Sequence, residues 1–198
     1  MNWMKKVAVA LVCLLPLGLQ AAKIDTLQVK SPSMNKSIEV VVVSPDVAAT
    51  KACPVIYLLH GYGGNACTWV GIKPDLPKIA DEKGIFFVCP DGKNTWYWDS
   101  PLNADVRYET FISNELVKYV DSHYKTVADR KGRAITGLSM GGHGAMWNGL
   151  RHSDVFSAAG STSGGVDIRP FPKNWEMSVQ IGEKAKYPEN WEKYTVIN

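Results

Sequence analysis

Apolar and polar residues alternate along two stretches early in the chain, Ile24 to Lys30 and Ser37 to Ser44, the second carrying Ile-Glu-Val-Val-Val-Val. Period-two alternation predicts strands, and the Ser31 to Lys36 segment between them, with Pro32 and Asn35, predicts the turn of an antiparallel pair. The pattern then changes. Pro54 to Leu59 (Pro-Val-Ile-Tyr-Leu-Leu) and Ile85 to Val88 (Ile-Phe-Phe-Val) are continuous apolar runs, as expected of strands buried on both faces of a parallel sheet. Arg133 to Thr136 and Val155 to Ser161 read as two further strands. Helical spacing lies between them. A helix is predicted from Asp75 or Leu76 to Lys83, with Pro77 in its first turn and Gly84 as its stop. Glu109 to His123 places Phe111, Ile112, Leu116, Tyr119 and Val120 on one helical face, and Met140 to His152 reads as a helix rich in small residues. Residues 91–106 follow neither period and form a long irregular connection containing Trp96-Tyr97-Trp98-Asp99. Beyond Ser161 the chain is loop-rich, with short helices predicted near Trp175 to Ile181 and Pro188 to Lys193, and Tyr194-Thr195-Val196-Ile197 starting what reads as another strand. Strands alternating with helices predict an α/β fold, a mostly parallel central sheet with helices on both faces.

The start of the chain obeys a different rule. Lys5 and Lys6 precede an apolar run from Val7 to Leu19, and Gln20-Ala21-Ala22 is a small-residue exit for signal peptidase. Residues 1–22 are therefore expected to be a secretory signal peptide, and residues 23–198 one domain of an exported protein, periplasmic or extracellular. The run is shorter than the roughly 20 residues of a membrane span, and no later segment approaches that length, so no stable span is expected after cleavage. Cleavage removes two lysines and no acids, which lowers the net charge from +3 to +1. So small a charge, with no basic stripe, argues against nucleic acid as a partner. Cys53, Cys67 and Cys89 remain, an odd number that leaves at least one free thiol in an exported chain. Cys53 enters one predicted strand and Cys89 leaves another, so they are expected at opposite ends of a parallel sheet, beyond disulfide reach; a Cys67–Cys89 pair is geometrically allowed. No metal-ligand spacing is present, and no metal is expected.

The densest chemical signal is Ala134-Ile135-Thr136-Gly137-Leu138-Ser139-Met140-Gly141-Gly142-His143-Gly144. Gly-x-Ser-x-Gly between a strand and a helix is the pattern of a nucleophile elbow, in which glycines are needed two residues to either side of the serine because a Cβ there would collide with backbone. Ser139 is the candidate nucleophile. The backbone N–H groups of Met140 and of Tyr62, the latter in the glycine-rich loop His60-Gly61-Tyr62-Gly63-Gly64, are the candidate oxyanion donors, assigned by position. Trp96 and Trp98 are candidate substrate contacts, since exposed indoles suit stacking on sugars or aryl groups; packing beneath their loop is the competing reading. A base is harder to find. Only His143 and His152 follow Ser139, the first leading away along the helix and the second about 20 Å down it. His60 is expected to stabilise its own loop, and His123 ends a helix elsewhere. Asp154 and Asp167 are acids without an imidazole to orient.

The elbow and its Gly-Gly-His-Gly-Ala tail, together with His60-Gly61-Tyr62-Gly63-Gly64, Cys89-Pro90-Asp91-Gly92, Tyr108-Glu109-Thr110 and Glu115-Leu116, resemble the esterase D branch of the α/β-hydrolases over roughly residues 35–198. That branch includes S-formylglutathione hydrolases, feruloyl and acetyl-xylan esterases and mycolyltransferase antigens. The resemblance implies an α/β-hydrolase fold and hydrolysis of a small-molecule or carbohydrate-linked ester through Ser139, with Tyr62 and Met140 as oxyanion donors and no metal or organic cofactor. It also implies that the triad acid and histidine, and the late strands of the sheet, belong to segments after Asn198. The expectation is thus a secreted serine carboxylesterase of feruloyl or acetyl type in carboxyl-terminally truncated form. Two alternatives stay open: a non-catalytic secreted glycan-binding protein that uses Trp96, Trp98 and the later aromatics (Phe171, Trp175, Tyr187, Trp191 and Tyr194), and an inactive fragment whose sheet ends in an open edge.

Overall fold

Strands β1 (Lys23–Ser31) and β2 (Lys36–Ser44) form the antiparallel hairpin that their alternation predicts, in register from Lys23 opposite Ser44 to Ser31 opposite Lys36. They belong to a computed structural model that describes residues 22–197; the expected signal peptide, apart from Ala22, lies outside the described residues. β2 pairs antiparallel with β4 (Phe86–Pro90), and from there the sheet is parallel through β3 (Val55–Leu59), β5 (Arg133–Gly137) and β6 (Ala158–Ala159). The strand order is β1-β2-β4-β3-β5-β6.

Successive side chains of a strand face opposite ways, so a sheet with apolar runs must bury two faces. Val40 and Val42 of β2, Tyr57 and Leu59 of β3 and Phe86 and Val88 of β4 enter one cluster; Val41, Val43, Leu58, Phe87 and Cys89 enter the other. The second face is covered by helix α2 (Leu76–Lys83) through Leu76 and Ala80. Pro77 lies in its first turn and Gly84, at φ 63°, ends it as expected. A short helix α1 (Thr68–Ile72), which no periodicity announced, precedes it.

The first and larger face carries two helical segments. One runs through α3 (Tyr108–Thr110), a π-helical stretch Phe111–Leu116 and α4 (Val117–His123), where a single amphipathic helix is predicted. The wider π turn coincides with the fully buried Phe111, Ile112 and Leu116. Glu115 reaches out of it to accept hydrogen bonds from Ser31 Oγ (2.5 Å) and the Ser33 N–H (2.8 Å), tying the β1–β2 turn to the helix. The other segment is α5 (Met140–Arg151), which directly follows the elbow.

Two expectations near the end are corrected. The strand predicted over Val155 to Ser161 is reduced to Ala158–Ala159, continued only by a Leu138–Thr162 bridge. Tyr194 to Ile197 is not a strand; it follows helices α6 (Met177–Ile181) and α7 (Pro188–Lys193) as a turn. Its apolar residues serve packing instead of a ladder: the Tyr194 ring stacks on Trp147 at 5.2 Å, and the Val196 N–H donates to Val166 O. Cys53 and Cys89 are buried in separate clusters, Cys67 is exposed, and all three are free thiols. Among the described residues no helix is long and apolar enough to cross a membrane.

Candidate active site

β5 ends at Gly137 and α5 begins at Met140, so Leu138 and Ser139 make the whole turn between them. Ser139 has φ 52° and ψ −119°, a conformation that costs a non-glycine residue on the order of 1–3 kcal/mol and persists only where its surroundings enforce it. Three backbone hydrogen bonds enforce it here: Ser139 N–H to Thr162 O (2.8 Å), Gly141 N–H to Leu138 O (2.8 Å) and His143 N–H to Ser139 O (3.0 Å). The glycine spacing has the steric origin expected. A Cβ on Gly141 would lie 2.2 Å from Leu59 O, and one on Gly137 would lie 2.3 Å from Gly141 O. The helix start therefore rests directly on the end of β3, and the serine side chain is exposed at the top of the sheet.

It faces a cavity of about 270 Å³ whose lining includes Tyr62, Trp96, Ile168, Phe171, Trp175 and Met177 as well as Ser139. Tyr62 and Ser139 thus meet at one site. In the Tyr62 loop the Gly64 N–H closes a turn on Gly61 O (3.0 Å) and the Gly63 N–H donates to Asn94 Oδ1 (2.9 Å), while the Tyr62 N–H takes no acceptor among the described residues. Met140 is the first residue of α5, where a helix's own ladder leaves N–H groups without partners and the helix dipole is positive.

The two tryptophans part company. Neither is exposed, which corrects the picture of indoles open to solvent. Trp96 is almost fully buried yet forms part of the cavity wall, and its Nε1–H donates to Trp175 O (3.1 Å). Trp98 is completely buried behind it, stacked at 5.5 Å, with its Nε1–H donated to His143 Nε2 (2.9 Å). Packing beneath the loop is the reading that describes Trp98. Phe171 and Trp175, by contrast, are exposed aromatics of the tail at the same cavity. The sequence offered them only as members of a group of tail aromatics, on which the glycan-binding alternative drew.

All four imidazoles are engaged away from Ser139. His60 is buried, with Nδ1 2.7 Å from Gly61 O and Nε2 accepting the Gly92 N–H at 2.9 Å, so it supports its own loop. Asp91 beside it is buried, which alone would raise its pKa, but hydrogen bonds from the Lys93 N–H and ammonium prevail and hold it well below the usual carboxylate range. His123 bonds Tyr119 O on the far side of the fold. His152 bonds Glu109 (2.9 Å), as do Trp147 and Arg151, and those contacts outweigh burial and lower the Glu109 pKa. His143 is fully buried, and desolvation pushes its pKa down to about 4 against the opposing hydrogen bond to Gly165. Of the two acids, Asp167 is held by a bidentate pair with Arg169 (2.8 and 2.9 Å), and Asp154 is exposed on a turn. Among the described residues no group of three His, Cys, Asp or Glu side chains is arranged to hold a metal ion.

A largely parallel sheet with a strained serine between a central strand and its following helix defines an α/β-hydrolase. The architecture matches that of a fluorophosphonate-binding serine hydrolase from Staphylococcus aureus with a TM-score of 0.74 over 82% of this chain and 67% of that one, at 20% identity, a likeness of fold. Within that class the chain belongs to the Esterase family, described as Putative esterase, whose model matches residues 31–196. A ferulic acid esterase of known structure is 30% identical, with a TM-score of 0.68 over 88% of this chain and 71% of that one. The acetyl esterase of Caldicellulosiruptor saccharolyticus is 32% identical over 102 residues, 51% of this chain and 37% of the relative. The chain spans 32–37% of the length of such curated relatives.

Proposed function

We propose that this chain is the nucleophile-bearing part of an exported serine carboxylesterase that acts on feruloyl or acetyl esters, including carbohydrate-linked ones. The observation that carries the reading is the backbone of Ser139, held at φ 52° and ψ −119° at a helix N-terminus and facing an aromatic cavity. A strained backbone kept at an exposed serine is hard to explain by packing, because Gly would adopt that conformation without cost.

In this reading Ser139 Oγ attacks the ester carbonyl carbon as its proton passes to an imidazole. The carbonyl oxygen becomes an oxyanion that accepts hydrogen bonds from the Met140 and Tyr62 N–H groups, each worth roughly 2.7–4 kcal/mol to the transition state. The tetrahedral intermediate expels the alcohol with the returned proton, and water releases the acid by the reverse sequence. The four imidazoles of this chain are committed elsewhere, so the reading assigns the base and its acid to residues after Asn198. The aromatic lining supports an aryl acyl group, and relatives named as acetyl and ferulic acid esterases support the two acyl classes.

The test is the complete open reading frame, including whatever follows codon 198, assayed with methyl ferulate and p-nitrophenyl acetate. Turnover of at least one ester is expected, with fluorophosphonate labelling at Ser139 and a loss of about 10⁴-fold or more in kcat/KM for Ser139→Ala. Failure to turn over either ester with Ser139 intact, or undiminished turnover in Ser139→Ala, would reject the reading.

A further inference from the structure

We propose that His143 is a positioning residue of this site: as a neutral imidazole with its proton on Nδ1, it ties two walls of the Ser139 cavity to the helix that bears the serine. The role rests on the esterase reading above. Its protonation state follows from the partners of the ring. The indole of Trp98 can only donate, and its Nε1–H lies 2.9 Å from His143 Nε2, which must therefore carry a lone pair. Gly165 O can only accept and lies 2.7 Å from Nδ1, which must carry the proton. A doubly protonated ring would point an N–H at an N–H.

Each of these bonds ends at a cavity wall. Gly165 belongs to the wall that continues to Ile168. Trp98 backs Trp96, whose ring also meets the imidazole edge-on at 5.2 Å, and through Trp96 Nε1–H the connection continues to Trp175 O. The backbone of His143 completes the arrangement, since its N–H donates to Ser139 O one helical turn back. The neighbouring glycines explain why α5 can lie so close to both walls: a Cβ on Gly142 would lie 3.0 Å from Gly164 Cα, and one on Gly144 would lie 2.4 Å from Tyr97 Cδ2. The helix approaches the walls at its glycines and grips them at His143. Among neutral side chains of this reach, the imidazole presents a donor and an acceptor on opposite edges of one rigid ring. Asn can reproduce the Nδ1 donor and Gln the Nε2 acceptor, and neither reproduces both.

The test uses the complete gene product and the variants His143→Asn, His143→Gln and Ser139→Ala. Imidazole ¹⁵N NMR of the wild-type protein at pH 7 is expected to show a neutral Nδ1–H ring; an Nε2–H tautomer or a protonated ring overturns the proposal even if the variants fail to fold. With folded variants, KM for methyl ferulate is expected to rise about tenfold for loss of either bond, the scale of one hydrogen bond, with a much smaller fall in kcat than in Ser139→Ala. Wild-type KM in both variants, or a collapse of kcat equal to that of Ser139→Ala, overturns it. If Ser139→Ala itself retains turnover, the esterase reading fails first, and the NMR result still decides the state of the ring.

Discussion

At the scale of single residues, the elbow is a steric object before it is a chemical one. Gly141 has no room for a side chain because Leu59 O and His60 O sit 2.2 and 2.6 Å from where its Cβ would be, and both are backbone atoms that cannot swing aside. Gly141→Ala is expected to destabilise the fold by about 3 kcal/mol, within the range for overpacking a rigid site, and to lower Ser139 labelling by fluorophosphonate. Urea unfolding and labelling rates check both. His143 adds a pH dependence with a definite sign. Its pKa is about 4 in the fold, lowered by burial, against about 6.5 in an unfolded chain, so between those values the unfolded state binds a proton that the native state refuses. Stability is therefore complete above pH 6.5 and is lost as pH falls toward 4, by roughly 3 kcal/mol at 1.36 kcal/mol per pH unit. Among the described residues its ring-stacking and hydrogen-bonding partners are Trp96, Trp98, Trp147 and the Gly165 carbonyl, none of them charged. Carboxylates such as Asp91 and Glu109, whose pKa values are lowered in the fold, lose stability in the same direction as pH falls. The difference in urea midpoint between wild type and His143→Gln isolates the imidazole; equal slopes over pH 4 to 6.5 would contradict the assignment.

At the scale of elements, burial on two faces made the central strands easy to read and one-sided tertiary demands made the rest hard. β3 and β4 appear in the sequence as apolar runs because both clusters claim their side chains, and α2 appears because Pro77 and Gly84 bracket it. β6 could not be sized in advance. Val155 to Ser161 has strand-like composition, yet only Ala158 and Ala159 form the ladder, because the Val155 and Phe156 N–H groups turn back to His152 O at one end and the chain turns at the other to bring Thr162 against Leu138 and Ser139. The π turn at Phe111–Leu116 leaves no signature in a 3.6-residue period, and the Tyr194 to Ile197 stretch reads as a strand because buried aromatic packing and a half-buried strand select the same residue types. Native-state hydrogen exchange should reflect this division. Amides of β3 and β4 are expected to exchange only by global unfolding, whereas Gly160, at the exposed two-residue edge, exchanges by local opening orders of magnitude faster. Uniform protection across both groups would show that β6 is more firmly held than its two exposed residues indicate.

At the scale of the whole molecule, the candidate site was legible where chemistry is carried by backbone and illegible where it is carried by distant side chains. Ser139, Met140 and Tyr62 could be named because glycine spacing fixes main-chain geometry. Phe171 and Trp175 could be offered only within a group of tail aromatics, and Met177 not at all, since a loop-rich tail has no periodicity to say which side chains return to the cavity. The same distinction bears on the other end of the chain. β1 pairs with β2 along its full length from Lys23, so the ladder needs nothing before that residue. Among the described residues, what precedes it is Ala22, whose N–H donates to Asp81 Oδ2 (2.8 Å) and whose side chain packs at the edge of the second apolar cluster, while Asp81 Oδ1 is occupied by the Asp46 N–H. Cleavage after Ala22 would remove that bond and that small contact and leave every described strand pair intact. Under the proposed export, the mature protein is expected to begin at Lys23, as read by intact mass, and to unfold within about 1 kcal/mol of an uncleaved form, the scale of one net hydrogen bond. A product that keeps Met1, or that stays with the cytoplasmic fraction after expression in a Gram-negative host, would contradict export; a product cut near Lys23 but destabilised by several kcal/mol would instead show that residues before β1 contribute to the fold.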